Sequence, residues 1–241
     1  MSIAEAIDAV RRGRMVLIYD SEDREGETDM VIPALSTTRE QVARMRIEAG
    51  GLICVAISPY AAEMLCLPYM ADILKFVSSN GEGLRLGTVC ERPGDLSYDT
   101  RSSFSIAVNH RKVGTGITDI DRALTISRIG VAVETVTLSR PFDFGASFRS
   151  PGHVPLLRAA QKLISERKGQ TELSIALANM AGITPAMAMC EMLDAKSGRA
   201  LSKQDSIQYA KRNGLEFVTG QAIIDAYQCA EQSLVDKRSS P

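Results

Sequence analysis

The stretch MVLIYDSEDREGETDMVI, residues 15–32, places two short apolar runs on either side of a densely charged connection. Met15 to Tyr19 reads as a buried strand, and Met30-Val31-Ile32 resumes the strand pattern after the loop. Two strands give such a loop a rigid base, a common place for function to sit. Between Asp20 and Asp29 the loop carries Asp20, Glu22, Asp23, Glu25, Glu27 and Asp29 against a single cation, Arg24. A solvated hairpin tip is the bland reading. Crowded carboxylates repel, however, and a hard cation relieves the repulsion by taking oxygen ligands. Crowding also drives carboxylate pKa values apart, so one acid holds a proton while its neighbour acts as a base. Gly26 lets the backbone bend sharply where the charge is concentrated.

Working outward, Ser2-Ile3-Ala4-Glu5 has capping-box spacing and Gly13 supplies a stop, which predicts a helix over 3–12. Thr38 to Gln41 repeats the pattern and opens a helix to about 48, closed by Gly50-Gly51. Strands are predicted over 52–58, 103–108, 187–193 and 216–219. Further helices are predicted over 121–128, 171–180, 202–213 and 221–227. Residues 141–153, rich in Gly, Pro and aromatics, read as a structured loop. No internal repeat or low-complexity linker divides the chain, so a single α+β domain over 1–235 is expected, with 236–241 as a frayed tail.

The bulk composition narrows the function classes. The chain has 241 residues, 45% hydrophobic and 24% charged, with a formal net charge of -1. It can bury a sizeable core, and it lacks the basic footprint of broad nucleic-acid binding. No apolar run approaches the length of a membrane span, and the amphipathic N-terminus is unlike a secretory signal. Five scattered cysteines without a CxxC pair fit a reducing compartment, with the cytoplasm as the default.

Outside the acidic loop, two histidines are the first candidates. His110, in the polar run Asn109-His110-Arg111-Lys112, reads as a surface residue. His153 follows Ser150-Pro151-Gly152, a rigid turn able to aim an imidazole into a cleft as a proton shuttle. Arg167-Lys168-Gly169-Gln170-Thr171 combines two cations with a helix N-terminus, a suitable anion site. Gly114-Thr115-Gly116-Ile117-Thr118 offers amides and hydroxyls of the same kind.

Taken in order, YDSEDREGETDMV (19–31), GGLICVAI (50–57), TGITDIDRALTI (115–126), FRSPGHVPLLRA (148–159), ERKGQTELSIALANMAG (166–182), CEML (190–193) and ALSKQD (200–205) resemble 3,4-dihydroxy-2-butanone 4-phosphate synthases, in their single-domain archaeal form. The resemblance spans nearly the whole chain. It implies a single α+β domain with a mixed β-sheet packed between helices, a three-layer α/β/α arrangement. It also implies a homodimer with active sites at the subunit interface. The implied activity is a lyase of riboflavin biosynthesis that takes ribulose 5-phosphate, excises C4 as formate and needs Mg2+ or Mn2+ but no organic cofactor. Loss of the C3 proton, dehydration at C1 and skeletal migration call for carboxylates and a histidine as proton carriers.

Carried over by position, the resemblance makes Arg24 and Glu25 the substrate-contacting pair, with Glu25 also a metal ligand. Glu27, Asp29 and Asp20 match further loop acids, for proton transfer or for substrate binding at Asp29. His153 and Glu191 match catalytic positions, Glu191 also contacting substrate, and Cys54 matches a strand cysteine near the site that is counted among the catalytic residues, with a small buried core thiol as its alternative reading. Arg167, Lys168, Gly169, Gln170 and Thr171 match the segment that grips the phosphorylated substrate, and Thr115 joins the substrate contacts. In one place the chain departs from the pattern. Where the family has Gly-His-Thr-Glu with a metal-ligating histidine, this chain has Gly169-Gln170-Thr171-Glu172. A glutamine oxygen can ligate magnesium but is neutral, so weaker binding or an altered metal preference is expected. Two other readings use the same parts: another metal-dependent phosphosugar isomerase or aldolase, and a weakened paralogue that binds phosphorylated ligands without turnover, supported by Gln170 alone.

Overall fold

The computed structural model describes residues 2–80 and 86–239. In chain order the elements are α1 (Ile3–Arg11), β1 (Val16–Tyr19), β2 (Thr28–Pro33), α2 (Arg39–Arg44), β3 (Cys54–Ile57), α3 (Pro59–Met64), α4 (Met70–Asn80), β4 (Phe104–His110), α5 (Asp119–Thr137), α6 (Phe144–Ser147), β5 (Phe148–Arg158), α7 (Gln170–Ala181), β6 (Ala186–Glu191), β7 (Leu193–Asp194), β8 (Arg199–Ala200), α8 (Lys203–Asn213), β9 (Glu216–Thr219) and α9 (Gly220–Ser239). Seven strands form one mixed sheet in the order β4-β5-β3-β6-β2-β1-β9, and β7-β8 is a separate small hairpin. Among the described residues only β1–β9 and β3–β5 pair in parallel.

The period-2 alternation of the strands divides the core between two faces. Leu17, Met30, Ile32, Val55 and Ile57 point to one face, where Val42, Ile126, Ile129 and Ala210 cover them from α2, α5 and α8. Val16, Ile18, Val31 and Ala56 point to the other, under Ala6, Leu173, Leu177 and Ile223 from α1, α7 and α9. The result is the expected three-layer α/β/α arrangement. All four residues of β1 and all six of β2 are buried, so the strands that carry the acidic loop lie deep in the sheet.

Local signals account for many of the element ends. The capping box of α1 forms in full, with Glu5 N–H bonded to Ser2 Oγ and Ser2 N–H bonded to Glu5. Beyond α2 the helix widens into a π turn, Met45–Ala49, and stops at Gly50 in the left-handed region (φ 89°).

The structure also corrects the sequence reading. α5 runs from Asp119 to Thr137 rather than stopping at 128, because Ile129, Ala132, Val133 and Val136 bury one face against the sheet. Burial thus overrides the weak propensity of its β-branched residues. The predicted loop over 141–153 contains α6 and most of β5, an 11-residue strand that tolerates Pro151, Gly152 and Pro155 beside the irregular pairing of β4. Helices α3 and α4 were not foreseen. The last helix continues from 220 to Ser239 rather than ending at 227, so 236–239 are helical, and 240–241 lie outside the described residues. His110 is buried, not surface-exposed: its ring meets Phe148 edge-on at 5.4 Å, and burial lowers its imidazole pKa.

β4 and β5 approach so closely at Gly152 that a Cβ there would collide with the backbone of Val108 and Asn109. Gly114 meets nothing within 4 Å. Gly152→Ala is therefore expected to cost about 1–3 kcal/mol or more by overpacking, and Gly114→Ala to cost little. Urea denaturation of the two variants checks this, and equal midpoints would refute it.

Candidate active site

The central strands bring the acids together. Asp29 on β2 pairs directly with Glu191 on β6, and Cys54 on β3 with Met189 two residues earlier on β6. Residues two apart on a strand share a face, so these four side chains share one side of the sheet. With Glu25, Arg167, Gln170 and Thr171 they line a cavity of about 200 Å³, which Leu96, Asp99 and Ser102 to Phe104 also wall. A larger cleft of about 610 Å³ lies alongside, lined by Asp20, Arg24 and Lys168 and sharing Asp99 and Arg167 with the cavity.

The acidic loop is held from within by Asp20. Its carboxylate accepts hydrogen bonds from the amides of Glu25 (3.1 Å) and Glu27 (3.0 Å), and its own N–H donates to Glu27 O. Gly26, at φ 67°, supplies the left-handed turn between them. With its side chain buried and both oxygens so occupied, Asp20 braces the loop, whereas the sequence reading had placed it among proton carriers. Arg24 lies between Asp20 (3.5 Å), Glu25 (2.9 Å) and Asp99.

Asp99 also takes a hydrogen bond from Arg167 at 2.7 Å, so one carboxylate bridges the two arginines at the mouth. Arg167 is anchored from below by Glu172, at 2.6 Å, and the other oxygen of that fully buried carboxylate accepts Ala160 N–H. Gly169 leaves the room that the Arg167 guanidinium occupies. On β6, Glu191 accepts the Leu52 amide at 2.8 Å, and a side chain at Gly51 would collide with it.

Electrostatically the floor is overcharged. Burial, then the neighbouring Glu191, Glu27, Glu25 and Asp20, raises the Asp29 carboxyl well above its ordinary range. Burial and then Glu25 and Glu191 push Glu27 up as well. Burial beside Glu191 and Asp29 pushes the Cys54 thiol up too, which opposes a thiolate role and makes Cys54 a wall of the cavity.

The donors suit a hard divalent cation. Gln170 Nε2 donates to Ile18 O and Glu27 O, each at 3.1 Å, which fixes the amide and leaves its buried Oε1 without a hydrogen-bond partner. Asp29 Oδ1 is likewise buried and unpartnered. Among the described residues no group of three or more His, Cys, Asp or Glu is placed to hold a metal; the Glu25 carboxylate and the Gln170 amide line the same cavity and could supply oxygen ligands of the kind magnesium takes.

Not every predicted residue reaches this place. Glu27 and Gly169 do not line the cavity: Glu27 O accepts a hydrogen bond from the lining residue Gln170, and Gly169 caps the helix that Gln170 begins. Thr115 and His153 stand apart: His153 is exposed on β5, four residues from the wall residue Leu157, or roughly 13 Å at strand rise. Both gather around Asn109, whose Nδ2 lies 3.2 Å from Thr115 O and 3.0 Å from His153 Nδ1. Sequence reasoning missed Asn109, Asp99 and Glu172. Glu172 sits in the quoted GQTE run and could have been noticed; Asp99 lies in the irregular stretch between α4 and β4, where no periodicity marks it.

Comparison with known proteins bears on the family and the fold. The family model described as 3,4-dihydroxy-2-butanone 4-phosphate synthase matches residues 4–226. The 3,4-dihydroxy-2-butanone 4-phosphate synthase of Archaeoglobus fulgidus is 55% identical over 228 residues, covering 95% of this chain and 94% of the relative. That of Methanosarcina acetivorans is 56% identical over 226 residues, covering 94% and 91%. A crystal structure of a 3,4-dihydroxy-2-butanone 4-phosphate synthase in cation-free form superposes with a TM-score of 0.75 at 26% identity, covering 96% of this chain and 99% of that one. One in complex with two magnesium ions gives 0.73 at 26% identity, covering 96% and 98%. On the family match, the identity along nearly the whole chain and the shared fold, this chain belongs to the 3,4-dihydroxy-2-butanone 4-phosphate synthase family.

Proposed function

We propose that the cleft converts ribulose 5-phosphate to 3,4-dihydroxy-2-butanone 4-phosphate, with C4 leaving as formate, for riboflavin biosynthesis. The observation that carries the reading is the adjacency of a cationic mouth to an acidic floor. Arg24, Arg167 and Lys168 border the larger cleft, while Glu25, Asp29 and Glu191 line the cavity beside it. A phosphosugar needs both, a grip for its phosphate and carboxylates for its hydroxyls and protons.

Arg24, Arg167 and the N-terminus of α7, where Thr171 lies, anchor the phosphate end. The site fits Mg2+ or Mn2+ held by Glu25 and Gln170 Oε1, and the cation supplies charge neutralisation for adjacent substrate oxygens. Removal of the C3 proton is work for a carboxylate of the floor. Glu27, raised by burial and by Glu25 and Glu191, and Asp29, raised by burial and by Glu191 and Glu27, are biased toward the protonated form and suit proton exchange with the substrate. Glu191, positioned by the Leu52 amide, is the second base of the floor. Loss of the C1 hydroxyl as water, migration of the carbon skeleton and addition of water then release C4 as formate, and the atoms balance without an organic cofactor.

Thr115 and His153 come from a second copy of the chain in this reading, because within one copy they lie off the cavity with an exposed imidazole. The working unit is a homodimer with its sites at the interface. We take residues 1–235 as one catalytic unit. Among the described residues no helix is long and apolar enough to cross a membrane. We take the cytoplasm as the setting, since five scattered cysteines without a CxxC pair fit a reducing compartment.

Incubation with ribulose 5-phosphate and Mg2+ should release formate. An isomeric sugar phosphate without formate, or binding without turnover, would replace the reading with an isomerase or a ligand-binding paralogue. Glu191→Gln keeps an oxygen to accept the Leu52 amide and should lower formate release by about 10²–10⁴-fold, leaving fold and substrate binding intact. Substantial residual turnover would remove Glu191 from proton transfer. The ligand position is tested by Gln170→His. It should raise affinity for Mn2+ more than for Mg2+, since imidazole favours later divalent metals; unchanged binding of both metals in titrations would exclude residue 170 from the site. Finally, mixing inactive His153→Ala with inactive Glu191→Gln should restore about a quarter of the wild-type activity, because half of randomly formed dimers carry one intact interfacial site. No recovery after verified subunit exchange would place both residues in one copy's site.

A further inference from the structure

The cluster around His153 holds one buried polar side chain that the proposed chemistry does not yet use. Asn109, on β4, is completely buried. Its Oδ1 accepts the backbone N–H of His153 at 2.9 Å, and its Nδ2 donates to the backbone carbonyl of Thr115 at 3.2 Å. A backbone N–H can only donate and a carbonyl can only accept, so these two partners fix which end of the amide is oxygen and which is nitrogen. Two glycines pack tightly against Asn109. A side chain at Gly116, in the left-handed region at φ 91°, would collide with the Asn109 amide, and one at Gly152 with the Asn109 backbone.

With the amide so oriented, its second Nδ2 hydrogen faces His153 Nδ1 at 3.0 Å, whereas Oδ1 lies farther from that ring nitrogen, at 3.4 Å. We propose that Asn109 is a positioning residue that holds neutral His153 in the tautomer with Nδ1 as acceptor and the proton on Nε2. The ring thereby presents Nε2–H as a hydrogen-bond donor, so the histidine meets a substrate oxygen as a hydrogen-bond donor and not as a base. The charged side chains bonded to the adjoining turn are Arg149, which donates to Gly114 O at 2.8 Å, and Asp121, which accepts Gly116 N–H at 2.9 Å. Among the described residues neither bonds to the imidazole, whose hydrogen-bonding partner is Asn109. The part His153 takes in turnover rests on the function proposed above; its tautomer does not, and the two fail separately.

The chain has only two histidines, so two-bond ¹H–¹⁵N correlation spectra of the ring-labelled, full-length protein at pH 8 are readable, with His153→Gln identifying the His153 signals by their loss. The wild type should show the Nε2–H pattern at nearly full occupancy. Asn109→Asp, which puts a carboxylate oxygen opposite Nδ1, should move the proton to Nδ1 and leave the Nε2–H form a minor species. A wild-type ring protonated on Nδ1 or on both nitrogens overturns the proposal, and so does an unchanged His153 pattern in Asn109→Asp. Should the variant not fold, the wild-type spectrum alone decides.

Discussion

The rest of the site depends on a repulsion built into the middle of the sheet. Asp29 and Glu191 face each other across β2 and β6 on the same side, where like charges cost free energy and water is scarce. Neither strand can turn its acid outward, because a shift of one residue would also expose the apolar positions of β2 or β6 to the wrong layer. The acids stay, and everything around them serves to make them tolerable. Asp20 spends its carboxylate on loop amides, Gly51 yields its space to Glu191, the Asp29 and Glu27 carboxyls are biased toward holding protons, and an oriented amide oxygen waits beside them. Such stored electrostatic cost is what a cation and a polyhydroxylated substrate relieve on entering.

The mouth uses the opposite logic. Arg167 is pinned by Glu172, itself fully buried and satisfied by Ala160 N–H, so the guanidinium is held in place before any ligand arrives. Asp99 bridges it to Arg24 and keeps two like charges close together, an arrangement that a phosphate dianion can take over with the same geometry of acceptors. Preorganisation of this sort reduces what binding must spend on ordering long side chains.

Much of the architecture was legible in the chain because local and global signals agree. The strand pair around the acidic loop, the capped α1 and α8, and β9 at 216–219 each carry apolar periodicity bounded by a cap or a turn residue. The misses share a different physics. Proline and glycine in 141–153 argue for a loop, and only pairing with two neighbours makes 148–158 a strand. The second half of α5 is set by tertiary burial, which no window of sequence contains. The acids, Arg167 and Gln170 were visible as an ordered pattern of motifs. Asn109 was not, because a polar residue in a polar run gives no sign that folding will bury it completely against a histidine 44 positions away.

The amide at residue 170 has a chemical consequence of its own. Two backbone carbonyls hold its nitrogen, and the remaining oxygen has no acid–base equilibrium anywhere near physiological conditions. An imidazole at that position would have to shed a proton before ligating, so hydrogen ions would compete with the cation for it. With glutamine there is no such competitor. In the proposed ligand pair, acidification would release the cation by way of the carboxylate, while the amide oxygen would stay available to it.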